Sequence, residues 1–143
     1  MGKKILVAYW SGTGNTEAMA KQVAKGAEEA GAELVCKPVS EVTKDMVKDA
    51  AALAFGCPAM GAEVLEESEM EPFIGGLSQA ELGGKSVGLF GSYDWGDGQW
   101  MRDWVERVKG LGALVDGEGI ITQLAPSDDA LAKCLELGKR LAG

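Results

Sequence analysis

Histidine is absent from all 143 residues. Its absence removes the chemistry that turns on an imidazole: Ser-His-Asp and Cys-His nucleophile systems and most zinc sites. Cysteine is scarce. Cys36, Cys57 and Cys134 are far apart and odd in number, so they offer neither a disulfide framework nor metal-ligand spacing, and they read as free thiols in a reducing compartment. Positive charge is short as well: 14 Lys and Arg stand against 22 Asp and Glu, for a formal net charge of −8. Binding a polyanion needs a basic face, so nucleic acid is not an expected partner. No apolar run approaches the roughly 18 to 20 residues of a membrane span. The run Ile5 to Ala8 is too short for a secretory core, and Leu6 occupies the position a myristoylation signal reserves for Ser or Thr. A cytoplasmic protein without membrane attachment is expected.

What is present suits one domain over residues 1–143, with 46% hydrophobic and 25% charged residues. Lys4 to Tyr9 reads as a buried strand. Thr16 to Ala30 reads as a helix, with Met19, Val23 and Ala27 on one face and Gly31 as its stop. Glu33 to Val39 is a second strand, which Pro38 assigns to an edge. A short helix over Ser40 to Lys48, capped by Ser40 or Thr43, precedes a third strand, Ala51 to Cys57. A weak helix with Pro72 inside it covers Glu66 to Gly75, and Lys85 to Gly91 is a fourth strand. Gly98 to Gly110 is a helix with Trp100, Trp104 and Val108 on one face. A broken fifth strand (Ala113 to Val115, Gly119 to Ile121) leads to a final helix, Ser127 to Ala142. Ser127 caps that helix, acids stand in its first turn and bases in its last. Five β-α units with apolar strands indicate an α/β fold: a doubly wound parallel sheet in a three-layer sandwich. In such folds ligands bind beyond the carboxyl ends of the strands. Function is therefore expected after Tyr9, after Cys57 and after Gly91.

The segment after the first strand reads Ser11-Gly12-Thr13-Gly14-Asn15-Thr16. It forms either a plain strand-to-helix turn or a cradle for a phosphate. Glycines let successive N–H groups converge, Ser11, Thr13, Thr16 and Asn15 supply side-chain donors, and the helix start adds free N–H groups and its dipole. No Lys or Arg lies in the loop, which suits an anion bound through neutral donors. Other phosphate motifs fit worse. Gly84-Lys85-Ser86 has the end of a P-loop, but position 79 is Gln and the triplet precedes a strand; a dinucleotide fingerprint would need Gly where Glu17 stands. The other two loops read Cys57-Pro58-Ala59-Met60-Gly61-Ala62-Glu63 and Gly91-Ser92-Tyr93-Asp94-Trp95-Gly96-Asp97-Gly98. Each carries one large polarizable or aromatic group, Met60 or Trp95, between small ones. A flat ring fits between a thioether and an indole, and Glu63 can accept from a ring N–H. Loop packing for Met60 and surface exposure for Trp95 are the plainer alternatives.

Together these three motifs resemble the short-chain, clostridial-type flavodoxins, and the match runs from end to end. The resemblance implies a flavodoxin-like five-stranded sheet of order 2-1-3-4-5 and non-covalently bound FMN. It places the phosphate in Ser11 to Thr16, the ring between Met60 and Trp95, and Glu63 on the ring's N3–H. Pro58, Ala59, Gly61, Ala62, Ser92, Tyr93, Asp94 and Gly96 complete the implied cofactor-binding set. The Gly61 peptide is expected to turn its carbonyl toward N5–H when the flavin takes up an electron. Ala62 stands where Asp or Asn is common, and Asp94 where glycine is usual. The implied function is a low-potential one-electron carrier, not an enzyme, cycling between semiquinone and hydroquinone. The acids Glu63, Glu66, Glu67, Glu69, Glu71, Asp94 and Asp97 are expected to surround the ring, disfavour the anionic hydroquinone and dock redox proteins with basic surfaces to a monomer. An FMN-dependent reductase and a flavin-dependent activator of a metalloenzyme are the alternatives. A receiver domain would need Asp where Gly56-Cys57 stands, and a low-molecular-weight phosphatase would need Arg where Glu63 stands.

Overall fold

Strand β1 (Lys4–Tyr9) lies inside the sheet, flanked by β2 (Glu33–Pro38) and β3 (Ala52–Gly56), both parallel to it. The computed structural model describes residues 3–12, 14–60, 64–94 and 96–143. Beyond β3 follow β4 (Ser86–Tyr93) and then two short strands, β5 (Leu114–Val115) and β6 (Ile120–Gln123), each parallel to β4. The order is β2-β1-β3-β4-β5, with β6 also on β4. The expected order and the broken fifth strand are both present: β5 pairs with the start of β4 and β6 with its end. Asp116 to Gly119 supply the interruption. Pro38 sits on the edge strand, where a missing N–H costs no ladder bond.

Alternation along β1 divides the core. Ile5 and Val7 face one layer and Leu6 and Ala8 the other, all at 2% exposure or less. Burying each Ile, Leu or Val is worth about 1.5–3 kcal/mol. The first layer holds helix α1 (Asn15–Glu29) and helix α6 (Asp128–Ala142). Their backbones nearly touch. A Cβ on Gly26 would lie 2.0 Å from the Leu135 carbonyl oxygen, and one on Gly138 would lie 2.0 Å from that of Val23. Helix α1 stops as the glycine predicts: Gly31 N–H donates to the Glu28 carbonyl and Ala32 N–H to that of Ala27.

The second layer holds α2 (Lys44–Asp49), α3 (Met70–Gly75), α4 (Gln79–Leu82) and α5 (Gln99–Gly110). Three sequence expectations change here. The segment after β2 is a 3₁₀ turn, Val39–Glu41, and then α2, capped by Thr43, whose hydroxyl accepts from Met46 N–H at 3.2 Å. Helix α3 starts at Met70 and not at Glu66, because the Glu66 side chain takes the N–H groups that a longer helix would use. Helix α4 was not anticipated, although Ser78 and Glu81 spell its capping box. Trp100, Trp104 and Val108 are buried on one face of α5 as the spacing requires. No helix among the described residues is long and apolar enough to cross a membrane.

Candidate functional site

Three loops leave the carboxyl ends of β1, β3 and β4 side by side, and backbone hydrogen bonds join them. Trp10 N–H donates to Gly56 O at 2.9 Å, Cys57 N–H to Phe90 O at 3.1 Å and Ala59 N–H to Ser92 O at 2.9 Å. The parallel register continues past the strand ends, so the three segments remain adjacent. Gly91 is needed in this crossing: a Cβ there would sit 2.1 Å from the Cys57 carbonyl oxygen.

In the first loop, Ser11 and Asn15 are half-buried, Gly12 and Gly14 are exposed, and Thr16 is buried. Thr13 lies outside the described residues. Gly14 is the N-cap of α1 with φ 93, a left-handed conformation in open space. It provides no side-chain cap; Ser11 does, reaching across so that its Oγ accepts from Gly14 N–H at 3.1 Å and Glu17 N–H at 3.2 Å. Those bonds leave the Ser11 O–H free to donate. The N–H groups of Asn15 and Thr16, first in the helix, have no intrahelical acceptor. The loop thus presents neutral donors at the positive end of a 15-residue helix dipole. Thr16 differs from the expectation of an open donor. Its residue is 1% exposed, its Oγ1 lies 3.1 Å from Ser92 Oγ, and it also accepts Ser92 N–H at 3.4 Å. The pair ties α1 to β4 beneath the loop.

Sequence reading gave Trp10 no role. Its indole N–H donates to Glu69 at 3.1 Å, and a Cβ on Gly12 would come within 3.1 Å of its ring. Trp10 therefore links the first loop to the segment that returns from the second. A cavity of about 270 Å³ opens beside it, bounded by Tyr9, Ser11, Glu17, Val39 and Glu69.

The second loop places Pro58, Ala59 and Met60 half-buried at the rim, and Gly61, Ala62 and Glu63 fall outside the described residues. Met60 and Val64 exchange both backbone hydrogen bonds, at 2.8 and 3.0 Å. Below them Cys57 is fully buried. Burial pushes its thiol up to about 12, only partly opposed by the Glu66 N–H it accepts, so it stays a neutral S–H. A thiol of that kind is no nucleophile, and Cys36 and Cys134 are free thiols too. In the third loop Ser92 is buried, Tyr93 half-buried, and Asp94 and Gly96 exposed; Trp95 lies outside the described residues. Tyr93 packs on Trp100 with ring centroids 5.6 Å apart. Gln123 donates to the Asp94 carbonyl at 3.0 Å, and Leu124 N–H donates to that of Tyr93 at 2.8 Å, bracing the loop from β6.

The acidic surround is thinner than the sequence suggests. Glu66 is 6% exposed and turned inward, and Glu71 is held by both terminal nitrogens of Arg107 at 2.7 and 2.6 Å. Asp97 pairs with Arg102 at 2.9 Å. Glu67, Glu69 and Asp94 remain exposed around the described part of the site.

The model of the family described as Flavodoxin matches residues 7–138. The chain is 51% identical over 136 residues to a flavodoxin of Clostridium beijerinckii, spanning 95% of this chain and 97% of that one. It is 43% identical to a flavodoxin of Megasphaera elsdenii, spanning 95% and 96%. The solution structure of two-electron reduced Megasphaera elsdenii flavodoxin superimposes with a TM-score of 0.84 at 42% identity, over 96% of this chain and 98% of that one.

Proposed function

The chain belongs to the flavodoxin family, and on that premise we propose that it is a low-potential one-electron carrier that holds FMN non-covalently across the loops after β1, β3 and β4. Bound FMN supplies the redox chemistry, cycling between semiquinone and hydroquinone; the chain's own residues bind it, orient it and exclude water. Ser11, Gly12, Thr13, Gly14, Asn15 and Thr16 take the phosphate. Met60 and Trp95 enclose the ring, Glu63 accepts its N3–H, and Pro58, Ala59, Gly61, Ala62, Ser92, Tyr93, Asp94 and Gly96 frame it. The observation that carries this reading is the first loop. Ser11 caps α1 from outside the helix, Gly14 takes the left-handed turn, and the N–H groups of Asn15 and Thr16 open the helix without intrahelical acceptors. Neutral donors at a helix start suit a buried phosphomonoester.

Glu67, Glu69 and Asp94, exposed around the same edge, support docking of redox proteins with basic surfaces to a monomer in the cytoplasm. Charge complementarity of that kind speeds encounter and weakens as salt rises. The test is a visible spectrum recorded during anaerobic dithionite titration of the purified protein. A yellow protein that turns blue and then pale supports the assignment, and a colourless one that takes up no FMN overturns it. Rapid bleaching by NADH or NADPH alone would make it a reductase instead.

A further inference from the structure

The segment 64–69, which returns from the second loop, contains no helix and no strand beyond the single bridge of Val64, yet it sets where that loop ends. One side chain organises it. Glu66 is 6% exposed, and its carboxylate takes donors on both oxygens. Oε1 accepts from Glu69 N–H at 2.7 Å and Met70 N–H at 3.0 Å. Oε2 accepts from Ser68 N–H at 2.8 Å and from the Ser68 hydroxyl. The main chain of Glu66 is engaged too: its N–H donates to Cys57 Sγ at 3.4 Å, and its carbonyl accepts from Glu71 N–H at 2.8 Å. A single residue thereby fastens the return segment to the end of β3 and to the start of α3.

The chemistry demands an anion. Four donors point at one carboxyl group, and only the ionised form has no hydrogen to turn against any of them. Glutamine fills the same volume but presents N–H₂ to donors at one of the two positions. Hydrogen bonds to a charged acceptor are about twice as strong as neutral ones, and a buried charge without partners is costly. The fold has therefore placed a charge where burial opposes it and surrounded that charge with main-chain donors.

The ties extend from this turn in two directions, both toward the candidate site. Met60 is reached through Leu65 and the paired Met60 and Val64. The first loop is reached through Glu69, which accepts the Trp10 indole N–H. We propose that Glu66 is a positioning residue of the cofactor site: its buried carboxylate holds residues 66–70, and through them fixes the loop that carries Met60 against the phosphate loop at Trp10. This rests on the FMN reading given above and adds a residue outside the cofactor-binding set named there.

The test compares wild type with Glu66→Gln and Ser68→Ala. FMN affinity is read by quenching of flavin fluorescence, and amide hydrogen exchange is followed residue by residue in the same proteins with and without FMN. Glu66→Gln is expected to weaken FMN binding about tenfold or more, the cost of unpairing buried donors. Exchange at Ser68, Glu69 and Met70 should quicken by a similar factor, while amides in β1 and β4 stay within about twofold, since local opening leaves the sheet intact. Ser68→Ala removes one of the four contacts, that of the hydroxyl, and should cost about threefold in affinity; it serves as the readout if the glutamine variant does not fold. Unchanged affinity in the folded variants overturns the proposal. So does an affinity loss accompanied by uniformly faster exchange through the sheet, which marks general destabilisation. Wild-type protein that takes up no FMN overturns the functional reading, and the exchange profile alone then decides whether Glu66 holds the turn.

Discussion

Removing the Thr16 hydroxyl separates two roles that the structure allows it, tie and ligand. Thr16 Oγ1 and Ser92 Oγ are 3.1 Å apart in residues 1% and 5% exposed. Thr16→Val keeps the shape, loses the bond, and leaves the Ser92 hydroxyl facing an apolar methyl. A net hydrogen bond is worth about 1 kcal/mol, and a buried group left unsatisfied costs about 1–3 kcal/mol. A loss of about 2 kcal/mol is expected, with a smaller one for Ser92→Ala, where Thr16 Oγ1 keeps the N–H of residue 92 as its donor. The double variant orphans neither hydroxyl, so its loss should fall short of the sum by about 1 kcal/mol or more. Urea unfolding of the FMN-free proteins, with m unchanged, measures all three. Additivity within about 0.5 kcal/mol would refute the tie. FMN titration supplies the second half. If Thr16 acts through Ser92, both single variants weaken FMN binding alike. A loss confined to Thr16→Val would show its hydroxyl bonding the phosphate directly.

Gly26→Ala gains about 1 kcal/mol of helix propensity but drives a Cβ to 2.0 Å from the Leu135 carbonyl; overpacking of that kind costs about 1–3 kcal/mol. Thermal unfolding should show a lower Tm, whereas Gly110→Ala, with nothing within 4 Å of its Cβ, should raise it. Leu124 is held at φ 60 with 54% of its surface exposed, so Leu124→Asn should stabilise by about 0.5–1 kcal/mol, since asparagine enters the left-handed region more readily; a lower urea midpoint would contradict this. Acid should unfold the protein by a predictable route. Burial would raise the Glu66 carboxyl, but Ser68 and the N–H groups of residues 68–70 outweigh it and hold it below its ordinary value. The guanidinium of Arg107 does the same for Glu71. Groups lowered on folding contribute stability above the ordinary carboxylate range, and lose it as pH falls through their folded values. Stability measured from pH 7 downward should therefore fall below about pH 4, and Glu66→Gln should flatten that fall.

The alternation of β-branched and helical segments was enough to determine the layers and which ends of the strands face the site, because periodicity and the right-handed crossover leave few arrangements; the strand order followed only from the resemblance carried by the three loop motifs. The donor-rich loop after β1 was equally legible, since glycines, hydroxyls and a helix start lie within six consecutive residues. Tertiary structure decided what depends on contacts far apart in the chain. Thr16 meets Ser92 across 76 positions and Trp10 meets Glu69 across 59, and neither pairing leaves a local signal. Glu66 read as one of the acids expected to surround the ring; only folding showed that main-chain donors had claimed it. Glu71 likewise lost its place in the acidic surface to Arg107, 36 residues away. Charge is countable from a sequence, but whether a carboxylate faces water or donors depends on packing, and packing is what the one-dimensional pattern leaves open.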